Sequence, residues 1–128
     1  MTRTYTFPRT HRLRSKLDFA RVFEARVRES RGAVTVYAAP NGLGHPRLGI
    51  SMSRKVGTAA RRNRIKRLLR ESFRLHQHDL PVGYDFIVTL RPHEPLILAE
   101  YQKLMTGMMV KLHGAWERRR PRAEEGAG

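Results

Sequence analysis

Basic side chains concentrate between positions 61 and 74, and they are the strongest chemical signal in the chain. The segment holds one acid, Glu71, and seven basic residues: Arg61, Arg62, Arg64, Lys66, Arg67, Arg70 and Arg74. A solvated helix usually pairs such cations with acids, whereas like charges four residues apart repel by a few tenths of a kcal/mol. A polyanion would remove that repulsion, because guanidinium and ammonium groups bind phosphate oxygens. The segment therefore predicts a surface that binds nucleic acid.

Three aromatic residues that precede this segment could stack on unpaired bases. Phe19 and Phe23 are four residues apart and share one face of a predicted helix, and Tyr37 lies in a predicted strand. Packing in the core is an equally good explanation for the two phenylalanines, so both interpretations stay open. Strands are predicted on both sides of the basic helix, which argues against a helix-turn-helix that binds DNA. The aromatic residues then favour RNA over DNA.

Residues that could perform catalysis on their own are sparse. The sequence has no phosphate-binding loop, nucleophile elbow or zinc-protease motif, and it has no cysteine. His76 and His78 are the nearest approach to a metal-ligand pair, but residues two apart do not share a helix face. The acids are scattered singly; Asp85 is the one most expected to face a specific partner, with an ion pair as the plainer alternative. The sequence thus predicts no catalytic residue and no protein-bound metal.

Composition limits the class of protein. The 128 residues suffice for one domain, 40% of them are hydrophobic, and the net charge is +15 with a pI near 11.5. The chain is therefore expected to fold and to attract polyanions. It has neither an N-terminal apolar signal nor an apolar run of about 18 residues, so we expect no secretion signal and no membrane span. The lack of cysteine fits a cytoplasmic location.

The sequence predicts a series of helices and strands, and these elements must position the basic and aromatic side chains. A helix is predicted to begin after Ser15, where Ser15 to Asp18 resembles a capping box, and to fade before Gly32. The patterns further predict strands at 33–39 and 47–53 that pair across Pro40-Asn41-Gly42, a helix at 58–76, a central strand at 84–90 and a helix at 95–116. The order α-β-β-α-β-α predicts an α+β fold, an α/β sandwich around a small sheet. We divide the chain into a basic arm (1–14), one RNA-binding domain (15–115) and a disordered tail (116–128).

The stretch from Gly49 to Arg70 resembles the signature of the bacterial ribonuclease P protein subunit family. Its centre is Arg62-Asn63-Arg64, followed by Ile65-Lys66-Arg67 and Arg70. The similarity extends upstream through Phe19, Phe23 and Tyr37 and downstream through 84–88, and so covers roughly residues 10 to 115. One mild departure is Arg54, which stands where lysine is common before Lys55.

The resemblance implies a ribosomal-protein-like fold in which the motif helix joins two parallel central strands by a left-handed crossover, against the general preference. It implies the accessory subunit of ribonuclease P, a ribonucleoprotein endonuclease and hydrolase for tRNA processing. In that enzyme the RNA subunit, with bound Mg²⁺, removes the 5′ leader of precursor tRNA. The protein's partners would then be the catalytic RNA and precursor tRNA, with no DNA and no membrane. Mg²⁺ would be held mainly by RNA, and the protein alone would cleave nothing.

Carried over by position, the family motif assigns two sets of contacts. Binding of the RNA subunit falls to Arg62, Asn63, Arg64, Lys66, Arg67 and Arg70. The remaining basic residues of the same helix, Arg61 and Arg74, complete the predicted set of RNA-subunit contacts. Binding of the single-stranded leader falls to Phe19, Phe23, Tyr37 and Lys55. A ribosomal or other structural RNA-binding protein fits the composition equally well, and only the Arg-Asn-Arg motif in its context separates the two. A protein-only nuclease would need a carboxylate cluster, which the sequence lacks.

Overall fold

The computed structural model describes residues 7–119, which form three α-helices, four β-strands and two single-turn 3₁₀ helices. The helices are α1 (Lys16–Ala25), α2 (Ala59–His76) and α3 (Leu98–Arg119). The strands are β1 (Arg28–Arg31), β2 (Val34–Pro40), β3 (Arg47–Met52) and β4 (Tyr84–Leu90), and the 3₁₀ helices are Arg9–His11 and Arg54–Val56. The α+β class is confirmed, with one strand more than the sequence analysis predicted.

The strands form one mixed sheet in the order β1-β2-β4-β3. β4 is antiparallel to β2 and parallel to β3, and all its residues except Thr89 are buried, which confirms its expected central position. α2 connects the parallel neighbours β3 and β4, as the resemblance implied. However, β3 lies at the edge of the sheet rather than at its centre, and Arg12 adds a single parallel bridge there to Leu48.

The pairing that we predicted between the strands at 33–39 and 47–53, which are β2 and β3 of the structure, is wrong. β2 and β3 run in opposite directions, but β4 lies between them and bonds to both. The physical reason is that β4 is buried along almost its whole length, so its backbone N–H and C=O groups need a hydrogen-bonding strand on each side. The connection through Asn41 is also longer than a tight hairpin; the Asn41 side chain accepts a hydrogen bond from Leu43 N at 2.8 Å.

The first helix is shorter than we predicted, and β1 follows it. α1 ends at Ala25, where Arg26 adopts a left-handed conformation (φ 59°). β1 then pairs with β2 through a tight turn at Gly32, whose φ is 58°. The strand consists of charged and polar residues that are mostly exposed, so it carries no hydrophobic alternation by which sequence reasoning could find it.

The sheet has two different faces. One face packs against α2 and α3 around the main core, which includes Val36, Val88, Ile65 and Met108. The other face packs against α1 through a smaller cluster of Leu13, Val22, Ala39 and Ile87. The two helix-bearing faces place α1 and α2 on opposite sides of the sheet.

The ends of the chain differ from the predicted boundaries. Within the predicted arm, Leu13 is buried and its backbone N–H donates to Leu48 O at 2.8 Å. α3 begins at Leu98 and continues through Trp116 to Arg119, past the point at which we placed the start of the tail. Residues 1–6 and 120–128 lie outside the described residues. None of the helices within 7–119 has the length and apolar character of a membrane span.

Candidate nucleic-acid interface

α2 presents the basic segment because its opposite side is anchored in the core. The Thr58 side chain caps the helix by accepting a hydrogen bond from Arg61 N at 3.2 Å. Ile65, Leu69 and Phe73 recur at helical spacing and are at most 1% exposed. The basic side chains therefore project away from the main core, as the spacing predicted.

Four of the eight predicted RNA-subunit contacts converge on one groove of about 350 Å³. We call it the arginine groove; it is lined by Asn63, Arg67, Arg70 and Arg74 from α2, by Phe7 and Arg12 from the arm, and by Glu71. Arg74 is engaged by Glu71: Arg74 Nε donates to Glu71 Oε2 at 3.0 Å, and a second bond joins Nη2 to Oε1. That hydrogen bonding raises the pKa of Arg74 and lowers the pKa of Glu71.

Positive charges crowd together inside the arginine groove. Burial lowers the pKa of Arg70 below its ordinary value, and the neighbouring charge of Arg12 lowers that pKa further. The Arg12 guanidinium lies 4.8 Å from the centre of the Phe7 ring, and Phe7 in turn packs 5.5 Å from Phe73. The arm is thus held so that Arg12 faces Arg70 despite their repulsion. An anion between the two would be bound by both.

The other four predicted contacts point elsewhere. Lys66 lines a second, adjoining groove of about 160 Å³ at the β3 edge, together with Arg12, Arg14 and Arg70. Arg61 lies 3.7 Å from Glu94 in a solvent-exposed ion pair. Arg62 donates from Nε to Gly57 O at 3.2 Å. Burial raises the pKa of Tyr101, and the nearby charge of Arg64 offsets a small part of that rise. The basic segment is one stripe in sequence but serves several sides of α2 in the fold.

Sequence reasoning missed Arg12 and Phe7 as parts of this surface. Both lie in the segment that we interpreted as an irregular arm. Their place in the groove depends on the Arg12–Leu48 bridge and on the contact between Phe7 and Phe73. These are long-range contacts with no periodic signal. The excess of arginine in the arm was the available hint.

The three predicted aromatic residues form one cluster on the α1 side of the sheet. The Phe19 and Phe23 ring centres are 6.4 Å apart, and Phe23 meets Tyr37 edge to face at 4.8 Å. All three side chains are half-buried: they pack against the smaller core and still present ring surface to solvent. The Arg28 guanidinium lies 5.8 Å from the Tyr37 ring and donates to its hydroxyl at 3.3 Å.

One glycine in the sheet makes room for the Phe19 ring. Gly49 is paired with Ile87, which in turn is paired with Tyr37, so the three form one row across the sheet. A Cβ at position 49 would lie 2.7 Å from Phe19 Cζ, so only glycine lets that ring lie against the strand. The next row is polar and consists of Ser30, Thr35, Thr89 and Ser51. We call these two rows with Phe19 and Phe23 the aromatic sheet face.

Lys55, the remaining predicted leader contact, is exposed on the second 3₁₀ helix, directly after the end of β3. Ser51, the last residue of the polar row, precedes it by four positions. Lys55 therefore lies just past the end of β3 that carries the polar row.

Asp85 is engaged in an ion pair rather than in a reactive site. Its carboxylate is fully buried and bonds to Arg47 twice at 2.7 Å, to Asn41 at 2.9 Å and to Arg21. The hydrogen bond that Arg47 donates to Asp85 also raises the pKa of Arg47. Arg21 belongs to α1 and Arg47 to β3, so the network fixes α1 to the sheet. Elsewhere in residues 7–119, no three His, Asp or Glu side chains converge into a set that could hold a metal ion.

Comparison with known sequences gives a consistent result. A family model described as Ribonuclease P matches residues 7–113. The ribonuclease P protein component of Methylococcus capsulatus is 53% identical over 88 residues, which cover 68% of each chain. That of Photorhabdus laumondii is 50% identical over 86 residues, or 66% of this chain and 71% of the relative.

Solved structures show the same relationship in three dimensions. The RNase P protein from Staphylococcus aureus matches with a TM-score of 0.69 at 31% identity, over 80% of this chain and 94% of that one. The RNase P protein from Thermotoga maritima matches with a TM-score of 0.68 at 33% identity, over 77% of this chain and 94% of that one.

Proposed function

Because the chain belongs to the ribonuclease P protein family, whose members are subunits of the ribonucleoprotein endoribonuclease of tRNA processing, we propose that it holds two RNAs on two surfaces. The catalytic RNA subunit binds the arginine groove, and the single-stranded 5′ leader of precursor tRNA binds the aromatic sheet face. The protein thereby promotes endonucleolytic removal of the leader and formation of the mature 5′ end.

The observation that carries this proposal is the separation of two chemically different surfaces by the sheet. The arginine groove offers charge with almost no ring surface except Phe7, which suits a folded RNA recognised through its phosphates. The aromatic sheet face offers three rings beside hydroxyl groups, which suits unpaired bases that stack and form hydrogen bonds. A purely structural RNA-binding protein has no need of the second surface.

The division of labour also explains where the reaction takes place. Mg²⁺ supplies the metal-assisted chemistry of phosphodiester hydrolysis, and this chain's described residues do not fit a Mg²⁺ site. Asp85, the only carboxylate among them that is fully buried, is already neutralised by two arginines. We therefore assign the Mg²⁺ ions to RNA phosphates. The protein's own residues bind and orient the two RNAs and offset their charge repulsion.

A reconstitution experiment tests the proposal. The cognate catalytic RNA is assayed on precursor tRNA at limiting Mg²⁺, with and without purified protein. We expect the protein to raise the cleavage rate at the mature 5′ end and to cleave nothing when RNA is absent. The Arg67→Ala/Arg70→Ala variant serves as a matched control that should stimulate weakly. Equal stimulation by this variant, or specific cleavage by the RNA-free protein, would contradict the proposal.

A further inference from the structure

A third groove lies at the C-terminal end of α2 and is lined by histidines. Its volume is about 240 Å³, and it brings together His11 of the arm, His45 of the β2–β3 loop, and Gln77 and His78 at the end of α2. His11 and His45 stack with ring centres 3.9 Å apart. We call this the histidine groove. No motif in the sequence connects its three histidines, because more than thirty positions separate each from the next.

The histidine groove is built by specific contacts rather than by chance proximity. Asn41 Nδ2, held by the buried carboxylate of Asp85, also donates to His45 O at 3.3 Å. His45 Nε2 bonds to Thr10 O at 3.1 Å. A carbonyl oxygen can only accept, so this bond places the proton of neutral His45 on Nε2. Nδ1 is then the atom at which His45 would gain a second proton.

The histidine groove continues the arginine groove along α2. Arg74 lines the arginine groove in the last turn of α2, and Gln77 and His78 of the histidine groove follow directly after that helix ends. Gln77 Nε2 donates to Arg74 O at 2.9 Å, which joins the two sites. On the arm, His11 directly precedes Arg12. A backbone that follows the arginine groove would therefore reach the histidines next.

His11 of the free protein resists protonation. Burial lowers the pKa of His11, and the nearby His45 and His78 lower it further. Other titratable or charged groups close to the lining residues include Arg9, Arg12, Arg74, His76 and Asp79, together with Asp85, which holds Asn41 beneath His45. Three of them are arginines, and the Asp85 carboxylate is neutralised by Arg21 and Arg47. A phosphate placed among the histidines would add negative charge beside them and favour their protonated forms.

We propose that the histidine groove binds a phosphate group of the catalytic RNA and takes up protons as it does so. The inference rests on the proposed function, because it extends the surface assigned to that RNA. The arginine groove binds with the same charge at every physiological pH, whereas the histidine groove contributes only when its imidazoles are protonated. RNA affinity should therefore rise on acidification.

The test measures affinity for the catalytic RNA between about pH 8 and pH 6, the range in which histidine changes charge. Each proton taken up tightens binding by up to about tenfold per pH unit, and we expect about a tenfold gain over the range for the unmodified protein. A triple variant, His11→Gln/His45→Gln/His78→Gln, should bind the RNA as tightly as the unmodified protein at the alkaline end of the range. Its affinity should not rise on acidification. His113→Gln, on α3 outside the groove, should keep the full pH dependence.

Several outcomes would overturn the proposal. They are a pH-independent affinity of the unmodified protein, an unchanged gain in the triple variant, or an equal loss in that variant at both ends of the range. His78→Gln alone, at an exposed position, gives a second reading if the triple variant fails to fold, and it should lose part of the gain. Failure of the proposed function is distinguishable, because the Arg67→Ala/Arg70→Ala variant would then bind as tightly as the unmodified protein at every pH.

Discussion

The arginine groove and the aromatic sheet face use the fold in opposite ways. Arg67 and Arg70 are exposed side chains on a helix whose other side alone enters the core. Phe19, Phe23 and Tyr37 are half-buried, and each ring that could meet a base also packs against the smaller core. Charged side chains can thus be added at the surface without changing the packing of the core, whereas a stacking surface is itself part of that packing. Mutations should therefore separate binding from stability on one surface and couple them on the other.

The largest expected effect is a drop in RNA affinity when two arginine side chains of the arginine groove are removed. Charge-assisted hydrogen bonds contribute about 1.5–3 kcal/mol each, so Arg67→Ala/Arg70→Ala should weaken binding of the catalytic RNA by about 100-fold or more. The log–log salt slope should fall by about 0.7–0.9 for each RNA phosphate that the variant no longer neutralises. The melting temperature should stay within a degree or two, because neither side chain packs in the core. Filter binding over a salt series, with calorimetry, measures both.

A charge-matched control separates the groove from general attraction. Lys103→Ala/Lys111→Ala removes two exposed cations from α3 and should change affinity only slightly. Equal losses of affinity in the two double variants would show that net charge, rather than the arrangement in the groove, determines binding.

The next effect concerns stability and involves Asp85, whose row of the sheet adjoins the aromatic sheet face. Asp85→Asn leaves Arg21 and Arg47 without the carboxylate that ties α1 to β3. Breaking a buried ion pair costs about 3–5 kcal/mol. Since both arginines retain some access to water, we expect Asp85→Asn to lower the free energy of unfolding by about 2–3 kcal/mol. Urea unfolding measures it, and a change below about 0.5 kcal/mol would show that α1 is held by its apolar contacts alone.

A smaller effect should distinguish stacking from packing at Phe19. Stacking on a base contributes about 1–3 kcal/mol, so Phe19→Ala should weaken binding of precursor tRNA by about tenfold and leave mature tRNA unaffected in the reconstituted enzyme. Phe19→Leu keeps most of the apolar volume against Gly49 but has no ring.

The two Phe19 variants decide between the interpretations. If Phe19→Leu retains the melting temperature and loses the preference for precursor tRNA, the ring binds the leader. If Phe19→Leu keeps that preference, Phe19 is a packing residue and the leader is recognised elsewhere.

The smallest effect is a pH dependence of the free protein's stability. The pKa of His11 is lowered on folding from its ordinary 6.5, so the unfolded chain takes up the proton more readily. The free energy of unfolding should therefore fall as the pH drops through about 6.5. His11→Gln should reduce that decline in urea titrations at several pH values. A stability that rises on acidification would contradict the assigned direction.

The sequence predicts those features that depend on residues close together in the chain, and it fails where distant segments meet. The buried apolar face of α2, its Thr58 cap and the burial of β4 depend on neighbours within one element, and all three are confirmed. β1 was missed because its polar residues have no periodic pattern, and the pairing of β2 with β3 was wrong because it depends on where a distant strand inserts. Arg12 joined the arginine groove through a single long-range bridge. Assignments of the site residues to particular RNAs stay predictions.

One crosslinking measurement tests most directly whether the two surfaces serve two RNAs. The chain has no cysteine, so Ala60→Cys, on the exposed side of α2, and Ser51→Cys, on the aromatic sheet face, can each carry one photoreactive group. We predict that the probe at position 60 crosslinks to the catalytic RNA and that the probe at position 51 crosslinks to the 5′ leader of bound precursor tRNA. Leader crosslinks from position 60, or crosslinks to the same RNA segment from both positions, would contradict the account.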